Sequence, residues 1–351
     1  MKKNVLFTLS FGIVLMILSL PSCRKDENVE PFVPSEPDVP STTSVPDNTA
    51  LFPSTASEYA VMIASELGVV PTVILDEMEQ IPLYQNGSRV YGVFNNASEL
   101  DNPTMFGKGT VSGSAIQRYE GVSVTGESLP HVVWIAFLRN SSQSTSHIFG
   151  SLQMIGYNEL TGATAFLESS DDIGSYASSM DPVTFEISGV MPGPDNSSAF
   201  NSAFIPPPAA CVSCHQADPF ITNSFITSAK IPGTNTPIIP ILDANAPYYV
   251  IGGGNWDMRT IHIEGNACVS CHRVGLATVR LFAETGFDVN SYMPVHSPGS
   301  QANDALELMN AWNNGVENTP NAEWVIPAVG SPGPNQIVGS GYLYQDDFNN
   351  P

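Results

Sequence analysis

The pentapeptide Cys-Val-Ser-Cys-His occurs twice, as Cys211-Val212-Ser213-Cys214-His215 and as Cys268-Val269-Ser270-Cys271-His272, and takes four of the five cysteines in the chain. Thiols two residues apart match the two vinyl groups of a haem, to which they bond as thioethers, and the next residue offers an imidazole to the iron. Two copies therefore imply two covalently bound haem c groups and redox work. Cys211, Cys214, Cys268 and Cys271 are the attachment points, and His215 and His272 are the proximal iron ligands.

Two other uses of such cysteines fit less well. A zinc ribbon wants its Cys-x-x-Cys pairs about 15–20 residues apart, whereas 53 residues separate Cys214 from Cys268 and each pair is followed by His. Disulfides within each pair would be a redox-active arrangement rather than a structural staple, and no thioredoxin-like βαβ pattern surrounds either one.

The fifth cysteine has a different job. Met1-Lys2-Lys3 supplies a positive start, Val5 to Leu20 an apolar run, and Leu20-Pro21-Ser22-Cys23 resembles the lipobox of bacterial lipoproteins. The apolar run is short for a span and is interrupted by Ser10, Ser19 and Pro21. Residues 1–22 are thus expected to be removed as a signal peptide, leaving an acylated Cys23 as anchor in the lipid bilayer. Arg24-Lys25-Asp26-Glu27 resembles the export signal of Bacteroidota lipoproteins, which implies an outer-membrane lipoprotein displayed at the cell surface, with the periplasmic face as the other option.

Residues 23–52 are rich in Pro, Ser, Thr and acids, with too little to bury to offset the entropy of ordering, and read as an extended tether. Charged residues make up only 13% of the chain, and the formal net charge of −22 becomes −24 once Lys2 and Lys3 are removed. Such a field disfavours nucleic acid and suits either basic partners or solubility.

From residue 53 the pattern reads first as a helix, with Ala56, Tyr59, Ala60, Ile63 and Leu67 at helical spacing, Ser54 or Thr55 as cap and Gly68 as stop. Strands follow. Asn86-Gly87 sits between β-prone runs as a hairpin turn, Val132 to Leu138 is a buried strand, Leu152 to Tyr157 pairs with Ala163 to Leu167, and Val183 to Ile187 alternates. Residues 53–204 are therefore expected to form a β-rich domain, in the manner of a sandwich. No catalytic motif stands out in it.

Ile205-Pro206-Pro207-Pro208 marks the expected boundary. Beyond it, Leu276 to Glu284 reads as a helix, and Asp304 opens another with Ala305, Leu308, Met309 and Trp312 on one face and Gly315 as stop. The expected fold is α+β, a β-rich N-terminal domain followed by a mainly α or irregular dihaem cytochrome c domain over residues 205–351. Distal iron ligands set the potential, Met raising it relative to a second His. The candidates are Met293 before Pro294, with His296 nearby, and Met258 and His262 ahead of the second pentapeptide.

The pentapeptides and the helices around them resemble the dihaem c-type cytochromes over the C-terminal part of the chain. Dihaem peroxidases also carry two such motifs, but much farther apart. The resemblance implies a one-electron carrier that meets redox partner proteins, basic ones in view of the acidic chain. A haem enzyme of peroxidase type with one open iron site is the first alternative. A binding module, in which the β-rich half recognises a partner or surface and the haems are accessory, is the second.

Overall fold

The computed structural model describes most of residues 52–279 and 302–325. Within that range residues 105–109, 141–150, 171–172, 174–177, 182–183, 195–196, 208–210, 244–245, 254–259, 271 and 276–277 are not described. The signal segment 1–22, Cys23, the tether up to residue 51, and Met258, Cys271, Met293 and His296 lie outside the described residues.

Helix α1 spans Ala56–Leu67 and buries Ala56, Tyr59, Ala60, Ile63 and Leu67, the five residues that recur on one face. Thr55 caps it: its side chain accepts from the Glu58 amide while the Glu58 carboxylate accepts from the Thr55 amide, so two orphan donors are satisfied. Gly68 ends the helix at φ 71°, ψ −153°, a conformation open essentially to glycine alone.

The helix packs on a seven-stranded sheet. Its strands are β1 (Glu79–Gln80), β2 (Ala115–Val122), β3 (Ser128–Leu138), β4 (Leu152–Asn158), β5 (Ala163–Ser169), β6 (Phe204–Ile205) and β7 (Tyr249–Val250). The first six run in the order β1-β2-β3-β4-β5-β6 as antiparallel neighbours. β7 joins β5 in parallel, so the outer edge of β5 is shared: β6 meets Glu168 and Ser169, and β7 meets Ala163 and Thr164.

Side chains alternate along β3 as the pleat requires. Val132, Trp134, Ala136 and Leu138 enter the core beneath α1, while Val133 and Ile135 enter a second core on the opposite face. Trp134 is fully buried, donates its indole N–H to the Leu67 carbonyl at 3.1 Å, and lies across Gly156 on β4, where any Cβ would strike the ring. The second core is closed by Phe220, Phe225, Ile238 and Ile239, by Leu100 and by Leu83 of a two-stranded hairpin. In place of the two large sheets of a sandwich, one large sheet is covered on its second face by loops and short hairpins. Pro219, Pro232, Pro237, Pro240 and Pro247 explain the irregular cover, because each withdraws a backbone donor from any ladder.

Asn86 and Gly87, at φ 51° and 74°, turn the chain between the paired segments Leu83–Gln85 and Ser88–Val90 as the hairpin signal requires. Of the strand expected over Val183 to Ile187, Val183 lies outside the described residues, residues 184–186 are turn and coil, and the strand Ile187–Gly189 pairs with Ser178–Met180.

The expectation of a mainly α or irregular cytochrome domain over residues 205–351 is overturned. Its described part is largely strand and loop. β6 and β7 belong to the large sheet, and β8 (Thr260–Ile263), β9 (Val274–Gly275) and β10 (Ala322–Val325) form a separate antiparallel sheet in the order β9-β8-β10. Among the described residues, the helices delimited after α2 (Ser198–Ala203) include the four-residue α3 (Val212–His215) and the thirteen-residue α4 (Ala302–Asn314). β-Branched residues in Thr260-Ile261-His262-Ile263 favour strand, and the prolines of 219–247 deny helix. α4 buries Leu308 and Ala311 against Ile261, Ile263 and Val274 of this small sheet and against Val316 of the turn Val316–Asn318, and Gly315 ends it as expected.

Gly68→Ala adds a side chain into the Val122 carbonyl as well as a strained backbone, while Gly126→Ala, at φ 88°, meets open space. Urea unfolding of the full chain is expected to show at least ~1–3 kcal/mol lost at Gly68 and a clearly smaller loss at Gly126; equal losses would contradict the docking of α1 on the β2–β3 turn.

Candidate functional site

In the first pentapeptide the Cys211 carbonyl accepts from the Cys214 amide at 3.1 Å and from the His215 amide at 2.8 Å, which closes one helical turn at α3. Cys211, Cys214 and His215 are then at i, i+3 and i+4, the spacing that puts side chains on one helix face. The turn rests on the sheet. Cys211 is 8% exposed and belongs to the core beneath α1, with its Sγ 3.7 Å from a carboxylate oxygen of Glu168 on β5. Burial pushes the Cys214 thiol up to about 12, with the Glu168 charge as the next cause, so it stays protonated at neutral pH.

The half-buried His215 ring is held from several sides. Its Nδ1 lies 3.3 Å from the Asp218 carbonyl, which can only accept, so Nδ1 carries the hydrogen and Nε2 keeps its lone pair. That is the arrangement by which proteins orient a metal-binding imidazole. The ring packs on Phe166 of β5 at 4.9 Å between centroids, and the Tyr248 hydroxyl donates to the His215 carbonyl at 2.5 Å. Desolvation by burial lowers its pKa to about 4, so the imidazole is neutral at physiological pH, the form that binds metal.

The second pentapeptide repeats the turn. The His272 amide donates to the Cys268 carbonyl at 2.9 Å, and Cys268–Ser270 form a single 3-10 turn. Its approach is set by α4: Asp304 accepts from the Ala267 amide at 2.8 Å, and the Asn266 side chain joins the Cys268 amide to the Asp304 carbonyl and the Glu307 carboxylate. A cleft of about 290 Å³, lined by His262, Ile263, Gly265, Asn266, Ala267 and Val269, opens beside the turn. Burial lowers the His272 pKa and the Asp218 charge offsets part of that.

Tertiary structure brings the C-terminal flanks of the two pentapeptides together. Arg273, which follows His272, places Nε 3.4 Å from a carboxylate oxygen of Asp218, three residues after His215, across 55 residues of sequence. Its Nη1 donates to the Ala246 carbonyl at 2.5 Å and its guanidinium carbon lies 5.7 Å from the centre of the Tyr248 ring. Gln216 packs directly on Gly275, where a Cβ would not fit. Burial raises the Asp218 pKa, while the Arg273 charge opposes the rise.

These residues fit a covalently held haem. Each turn holds its first thiol and its imidazole in the same helical relation, His215 presents Nε2, and the buried Arg273 Nη2 has no acceptor among the described residues, as expected beside an anionic ligand. Of the distal candidates, His262 lies exposed on β8 opposite Glu323 of β10; Met258, Met293 and His296 fall outside the described residues. Among the described residues no group of three or more His, Cys, Asp or Glu side chains converges as a metal cage, and no helix is long and apolar enough to cross a membrane. Sequence reasoning missed Glu168, Phe166, Tyr248, Asp218 and Arg273. Only Asp218 and Arg273 carried a signal, as charges close behind the pentapeptides; Phe166 and Glu168 arrive from β5 and Tyr248 from the segment that leads into β7.

Comparison with protein-family models, with curated proteins and with solved structures returned no match to this chain. The functional argument therefore rests on the residues themselves. Tyr248→Phe removes one buried hydroxyl donor without changing the ring, and denaturant unfolding is expected to show a loss of about 1 kcal/mol; an unchanged midpoint would mean that the hydroxyl does not hold the first turn.

Proposed function

We propose that this chain is an exported, lipid-anchored electron carrier that holds two haem c groups on a β-rich scaffold. The supporting observation is the repeated pentapeptide, each copy closed by the same Cys carbonyl to His amide bond, with the two flanks joined through Arg273 and Asp218. Cys211 and Cys214 hold one macrocycle and Cys268 and Cys271 the other, while His215 and His272 bind the irons. The haems supply a one-electron Fe(III)/Fe(II) couple.

The chain contributes binding, orientation and a dry environment. The Asp218 carbonyl fixes the His215 tautomer, Phe166 and Tyr248 hold the ring and its backbone, and Glu168 lies under the attachment thiol. An acidic chain of formal charge −22 suits encounter with a basic redox partner at low salt. Acylation at Cys23, with the acidic run behind it, places that encounter at the outer membrane, on the cell surface in this reading.

Produced in a bacterial host that matures c-type cytochromes, the protein is expected to show a Soret band that survives acid-acetone extraction and a mass carrying two haems. The double variants Cys211→Ser/Cys214→Ser and Cys268→Ser/Cys271→Ser should each retain one. A protein whose pigment extracts, or whose mass equals the bare polypeptide, would rule the proposal out.

A further inference from the structure

Arg273 is a buried cation near the two turns, with 7% of its side chain exposed. Two of its three nitrogens are used: Nε faces Asp218 and Nη1 donates to the Ala246 carbonyl. Nη2 is buried and has no acceptor among the described residues. A permanently charged guanidinium does not give up hydration at one of its donors without compensation, because an unmet buried donor costs ~1–3 kcal/mol and more when it is charged. The position calls for an anion.

The surroundings say where that anion belongs. Although Arg273 sits directly behind His272 in sequence, its contacts are with the wall of the first site. Asp218 orients His215 through its carbonyl, and Tyr248, beneath the guanidinium, donates to the His215 carbonyl. Asp218 already neutralises part of the charge at Nε and does not reach Nη2. The ligand proposed for this site is a porphyrin, whose two propionates are the carboxylates it brings with it, and a guanidinium fork is the donor geometry that carboxylates accept best.

We infer that Arg273 Nη2 anchors a propionate of the haem bound through His215, so that a residue carried by the second pentapeptide holds the first haem and tunes it. The inference rests on the dihaem reading above. Its consequence is electrostatic coupling between sites: a positive charge beside the propionate disfavours Fe(III), and that charge is positioned by the second turn.

The test uses the holoprotein in the Cys268→Ser/Cys271→Ser background, where only the first haem is attached. Arg273→Gln is expected to move the Fe(III)/Fe(II) ratio of that haem about tenfold toward Fe(III) at fixed potential, a midpoint lowered by ~59 mV for one electron, and to shift the propionate bending band in the resonance Raman spectrum. Arg273→Lys, which keeps the charge and loses the fork, should shift the same band with a smaller change in midpoint, and it decides the matter if the Gln variant does not yield holoprotein. An unmoved midpoint and propionate band overturn the inference. So does a response seen only in the complementary Cys211→Ser/Cys214→Ser background, which would assign the contact to the second haem. A native protein without covalent haem sinks the dihaem reading instead, so the two failures are told apart by the absorption spectrum of the unmutated chain.

Discussion

The contact of Arg273 with Asp218 is the constraint on which the arrangement of the two pentapeptides depends. With 7% and 20% of their side chains exposed, both groups have lost most of their hydration. Ion pairs in such surroundings add little net stability relative to apolar replacements, while removal of one partner alone is costly. The pair therefore acts mainly on geometry. It ties residues 55 positions apart, with Gln216 against Gly275 beside it, so that the segment after His215 cannot shift without the segment after His272.

The platform beneath is β5. All seven of its residues are buried, and its outer edge is divided between β6 at one end and β7 at the other. Phe166 and Glu168, from the middle and far end of this strand, meet His215 and Cys211. β5 in turn is held by β4, whose Gly156 leaves room for the Trp134 ring, and by α1, whose last carbonyl, that of Leu67, accepts from that indole. A close-packed interior of this kind transmits small displacements, so the position of the first turn is coupled to the docking of a helix far from it in sequence.

The chemistry of the site follows from dryness. Burial keeps the imidazoles of His215 and His272 neutral and the Cys214 thiol protonated, and in a low-dielectric region each remaining charge acts more strongly than it would in water. Glu168, Asp218 and Arg273 are charges placed close to the first turn, and Asp304 and Glu307 stand at the approach to the second. In the electron carrier proposed above, such fixed charges and the axial ligands would be the means of setting the potential.

What local sequence determined is local. The five apolar positions of α1, its Thr55 cap and its Gly68 stop, the Asn86-Gly87 turn, the paired Leu152 and Ala163 runs and the Gly315 stop are all settled by side-chain period, capping and positive φ within about a dozen residues. The same holds for the spacing of Cys211, Cys214 and His215. The fold of residues 205–351 was not legible, because two-residue strands such as β6 and β7 carry no periodicity of their own and exist only as additions to the edge of β5. Nor was the joining of the two pentapeptides. Whether Arg273 meets Asp218, and whether Phe166, Glu168 and Tyr248 surround the first turn, depends on the path of intervening loops and on which sheet face stays open. Those are decided by the burial of surfaces distant in sequence, an energy that becomes available only when the whole chain is packed.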